Sequence, residues 1–112
     1  MLGRFFFSDD LEWDDVAVRK HLAADAAAEH LTAAATALTA LATFDSESIE
    51  TAVRQVAESR GVKAGTIIHA VRVALTGKTV SPGLFEVAAL LGRERVNDRI
   101  NRAIERGAQA RA

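Results

Sequence analysis

The chain has 112 residues, enough for one domain with a modest core but too few for most enzymes that carry a nucleotide-binding half. It contains no cysteine, which excludes disulfides and thiolate metal sites, and no apolar run approaches the length of a membrane span. The net charge is only −1, but residues 1–61 hold five Lys/Arg against eleven Asp/Glu, whereas residues 62–112 hold nine against four. A basic second half points toward an anionic partner, with nucleic acid the usual one.

A single proline, eleven alanines between positions 23 and 42, and apolar spacing near 3.6 residues predict an all-α domain of about six helices. Residues 1–12 are expected to be an extended lead-in from a preceding domain. Phe5, Phe6 and Phe7 would serve there as apolar anchors and Trp13 as a packing anchor. The helical domain is expected over 13–106, followed by a frayed tail, 107–112. Asp14 or Asp15 caps a short first helix reaching about His21. An alanine-rich helix follows from about Ala24 to Ala42, with a stripe of Ala27, Leu31, Ala34, Leu38 and Leu41. Asp45 or Ser46 opens the third, which buries Ile49, Ala52, Val53, Val56 and Ala57 and stops at Gly61.

The fourth helix is expected from about Lys63 to Thr76, with Ile67, Ile68, Val71, Ala74 and Leu75 facing inward and Gly77 as its stop. Arg72 falls at the border of that face, beside His69 and Thr76. A border arginine can bury its stem and turn its planar fork toward a ligand. It can equally tie down a neighbouring helix end or pair with an acid such as Glu86. Ser81 followed by Pro82 is a helix start, and the fifth helix, Pro82 to Leu91, is apolar almost all round, which predicts a central buried position. Gly92 then separates it from a last helix running from about Arg93 to Arg106. On that helix Arg95, Arg99, Arg102 and Arg106 repeat at helical spacing. Such a stripe suits phosphate contact, or a solvated face with internal pairs such as Asp98–Arg102. His21, His30 and His69 lie far apart in sequence and show no metal-ligand spacing.

Three blocks carry a resemblance: Arg72-Val-Ala-Leu-Thr-Gly77, Ser81-Pro-Gly-Leu-Phe-Glu86 and Leu90-Leu-Gly-Arg-Glu-Arg-Val96. Together with Gly61-Val-Lys-Ala-Gly65 they resemble the C-terminal anticodon-binding domain of bacterial glutamyl-tRNA synthetases, over nearly the whole chain. The resemblance implies that Arg72 reads a base and that Ser81, Pro82 and Leu84 line the anticodon pocket. It implies a glutamate-accepting tRNA and an N-terminal catalytic domain as partners, a cytoplasmic location and a monomer. ATP and magnesium would serve that catalytic domain, and no cofactor is expected in this chain. Ala70 stands where many relatives carry proline, which predicts a straighter fourth helix. No phosphate loop, GxGxxG, HIGH-like or KMSKS-like signature occurs, so catalysis is not expected of these 112 residues. Two other readings remain at this point: a helix-turn-helix DNA binder built on the fourth and fifth helices, and a dimerisation module built on the alanine-rich helix. An all-round apolar fifth helix offers no recognition face for the former.

Overall fold

The computed structural model describes residues 13–24, 26–79 and 83–111. Among them the chain forms six helices: α1 (Asp15–Ala17), α2 (Ala27–Thr39), α3 (Ser46–Ser59), α4 (Ala64–Thr76), α5 (Leu84–Leu91) and α6 (Arg93–Arg111). A π-helical turn, Val18–Leu22, continues α1. The all-α expectation holds, and no described helix is long and apolar enough to cross a membrane. The Phe5–Phe7 anchors and the lead-in lie outside the described residues.

Local chemistry accounts for most boundaries. The Asp14 carboxylate accepts from the Val16 N–H at 3.1 Å, and the Asp45 carboxylate accepts from the Ser48 N–H at 2.8 Å, so each acid satisfies a donor that the first helical turn leaves open. Gly61 and Gly77 end α3 and α4 with φ of 68° and 75°, in the left-handed region where a Cβ is penalised. Trp13 packs half-buried against the core, as expected of an anchor.

The core is assembled from the stripes that spacing predicts. Leu31, Ala34 and Leu38 of α2 meet Ile49, Val53 and Val56 of α3, Ile67, Val71 and Leu75 of α4, and Val96, Ile100 and Ala103 of α6. The small residues of α2 are used here: Ala27, Ala34 and Ala35 are buried within the domain. Among the described elements α4 touches α2, α3, α6 and the π-helical turn, and seven of its thirteen residues are buried. It is the central helix.

That corrects the expectation for α5. This helix begins at Leu84, packs chiefly on α3 and α6, and leaves Leu90 62% exposed. Its all-round apolar pattern does not put it at the centre, because eight residues are only about two turns and can bury little more than one side.

The second correction concerns the tail. α6 continues through Gly107 to Arg111, where fraying was expected. Gly107 is buried, and a Cβ built on it would run into the Leu22 carbonyl of the π-helical turn. Glycine inside a helix costs about 1 kcal/mol relative to alanine. Here it permits two backbones to touch, and the contact extends the helix. Gly107→Ala should therefore destabilise the fold by about 1–3 kcal/mol in urea unfolding, despite the better helix propensity of alanine. A variant as stable as the parent would show that this approach is not needed.

Candidate nucleic-acid interface

The C-terminal end of α4 is a corner at which three segments meet, and its exposed carbonyls are nearly all taken. The Gly77 N–H donates to the Val73 carbonyl at 2.7 Å, and the Asp14 N–H donates to the Gly77 carbonyl at 2.9 Å. Thr76 Oγ1 donates to the Arg72 carbonyl at 2.7 Å and accepts from the Lys78 N–H at 3.2 Å. Arg99 of α6 donates from Nη1 to the Leu75 carbonyl at 2.7 Å. A cation at the negative end of a helix dipole is favourable, and a carbonyl left open in this buried place would be costly.

Arg72 lies one turn earlier, on the rim of this corner. It is half-buried, and Nη1 lies 3.3 Å from His69 Nδ1, which is placed to accept from it. Its Nε is buried without a partner among the described residues. No carboxylate among them neutralises the guanidinium. Glu86, the acid that spacing offered for that pairing, lies instead against Gly83, where its carboxylate occupies the space a side chain would need. The guanidinium thus keeps donors and charge available for a ligand.

The other expected site residues divide. Ser81 and Pro82 lie outside the described residues. Leu84 is 3% exposed and belongs to the core, so it offers no surface to a base. Thr76 is also buried, at 1%, and its hydroxyl serves the helix end rather than the rim. The arginine stripe of α6 is not one surface. Arg99 is 3% exposed and committed to Leu75, which corrects its assignment as a phosphate contact. Arg95, Arg102 and Arg106 are exposed. Arg102 pairs with Asp98 at 3.1 Å, the i, i+4 pair that spacing anticipated, and Arg106 lies over the Trp13 ring at 5.3 Å.

Spacing overlooked two further arginines. Arg93 donates from Nη2 to the Leu41 carbonyl at 2.5 Å and lies over the Phe44 ring, fastening the start of α6 to the α2–α3 connection. Arg60 donates from Nε to His30 Nδ1 at 2.6 Å. Burial, followed by the Arg60 charge, holds the His30 imidazole below its usual pKa, so the ring stays a neutral acceptor. Neither contact leaves a trace in local spacing, since each joins residues distant in sequence.

Comparison with known proteins places this geometry in a family. Residues 1–104 match the family described as the anticodon binding domain. The chain belongs to that family. The domain is 44% identical over 102 residues to a glutamate–tRNA ligase of Desulforudis audaxviator, covering 89% of this chain and 20% of the relative. It is 39% identical over 99 residues to the glutamate–tRNA ligase of Moorella thermoacetica, covering 88% and 20%. In three dimensions it resembles a glutamate–tRNA ligase from Elizabethkingia meningosepticum, with a TM-score of 0.84, 28% identity, and coverage of 92% of this chain and 20% of that one. The chain thus spans about a fifth of the length of the curated relatives it matches.

Arg99→Met removes the donor to Leu75 and should lower the unfolding free energy by about 1–3 kcal/mol. Urea titration followed by helical circular dichroism measures it. A neutral outcome would mean that the α4 end is held by its other contacts alone.

Proposed function

We propose that this domain grips the anticodon loop of a glutamate-accepting tRNA, as part of a glutamate–tRNA ligase whose catalytic domain joins glutamate to the tRNA. The observation that carries this reading is Arg72: a guanidinium on the rim of the α4 corner, oriented by His69 and not neutralised by a carboxylate among the described residues. In this reading ATP and magnesium act in the catalytic domain, and these 112 residues contribute tRNA contact alone. The ligase works in the cytoplasm, as one copy.

Selection follows from unequal pairing. A splayed-out base that offers acceptors to Arg72 completes the hydrogen bonds of a planar, charged donor set. A base with a donor in the same place leaves the guanidinium desolvated and unpaired, at a cost of about 1–3 kcal/mol. Ser81 and Pro82 belong to the pocket by family resemblance, and Arg95, Arg102 and Arg106 would add phosphate contacts that weaken with salt.

Binding of an anticodon stem-loop RNA to the domain, with duplex DNA of equal length as control, tests the reading. The RNA should bind in preference to the duplex. Arg72→Ala should weaken RNA binding about tenfold to a hundredfold, the equivalent of one or two charge-assisted hydrogen bonds. Equal affinity of parent and variant would remove Arg72 from the interface, and preference for the duplex would favour a DNA-binding role.

A further inference from the structure

The fold brings together three histidines that are far apart in sequence. His21 of the π-helical turn, His30 of α2 and His69 of α4 line one cleft of about 280 Å³, together with Lys20, Thr66 and three alanines. The His21 and His69 rings are in contact, with centroids 5.3 Å apart and planes tilted by 31°. His69 in turn meets Arg72, so the cleft adjoins the corner described above. No group of three or more His, Cys, Asp or Glu among the described residues is arranged to hold a metal ion.

The charges facing this cleft are mostly of one sign. Lys20 lies beside His21 on the same turn, while α4 contributes His69 and, next to it, Arg72. His30, also in the lining, accepts from Arg60 just past the end of α3, which holds its ring neutral, and Glu29 of α2 acts on that ring in the opposite sense. Burial, then His69 and Lys20, hold the His21 imidazole below its usual pKa. All three causes penalise a positive ring, and an anion placed in the cleft would reverse that penalty. His30 is committed to Arg60 and His69 to Arg72, which leaves His21 as the cleft imidazole able to take up a proton.

We propose that this cleft is a second RNA contact: it receives a backbone phosphate next to the nucleotide at Arg72, and binding draws a proton onto His21. The inference rests on the RNA-binding reading above, and it adds a site on a different element with a signature of its own. A phosphate oxygen beside His21 gains a hydrogen bond from an imidazolium and charge from Lys20. Proton uptake on binding makes affinity rise as pH falls, by up to tenfold per pH unit for each proton linked.

The test uses the 112-residue chain and an anticodon stem-loop RNA at constant ionic strength. Affinity should increase about fourfold between pH 7.5 and pH 6.0 for one linked proton over part of that range. The variant H21Q should bind at pH 7.5 but lose the pH dependence. Proton NMR of the parent's imidazoles gives a readout that does not require the variant to fold: the titration midpoint of His21 should move up when RNA is added. Inorganic phosphate at the same concentration should leave it in place. Pronounced RNA binding with no pH dependence, or with an unmoved His21 midpoint, would overturn this inference and leave the anticodon reading standing. Equal movement with inorganic phosphate would overturn the assignment to the RNA backbone. No RNA binding at either pH would overturn both.

Discussion

The hydrogen bond from Arg99 to the Leu75 carbonyl is the constraint on which the arrangement turns. It crosses from the last helix to the end of the central one and places a buried cation against the negative end of the α4 dipole. The same few residues anchor the start of the described chain, through Asp14 and Gly77, and the loop after α4, through Thr76 and Lys78. α1, α4 and α6 are fixed to one point. Arg72, one turn away, is therefore displayed from a support whose carbonyls are already satisfied and whose backbone has little freedom left to absorb a ligand by moving.

Two arginines near this point do opposite things for a physical reason. Arg99 projects from the inner side of α6, so its charge must be compensated inside and is spent on structure. Arg72 projects from the border of α4, where His69 orients it without cancelling its charge. An imidazole nitrogen that accepts from a guanidinium can steer it and yet leave its positive charge for a partner. A carboxylate in that position would have made Arg72 a structural residue like Arg99.

How much of this was legible in the sequence depended on range. The Gly61 and Gly77 stops and the buried stripe of α3 follow from local pattern and spacing identified them, while the caps at Asp14 and Asp45 were each narrowed to two adjacent residues. α5 was misplaced because periodicity reports how apolar a helix is, not how many neighbours it has; two turns with an exposed Leu90 cannot be a centre. α6 outran its expected end because Gly107 looks like a helix breaker until Leu22 is seen against it. Arg99 is indistinguishable in sequence from Arg95 and Arg102, and only the position of Leu75 separates them. The histidine cleft left no local signal, since its walls come from α2, α4 and the π-helical turn.

The most direct measurement of the central claim is a nitrogen–proton NMR spectrum of the arginine Nε–H groups as anticodon stem-loop RNA is added. The buried Nε of Arg72 should give a resolved signal that shifts saturably with RNA, while the Arg99 signal, committed to the α4 end, stays in place. A spectrum in which the exposed arginines of α6 respond and Arg72 does not would contradict the account.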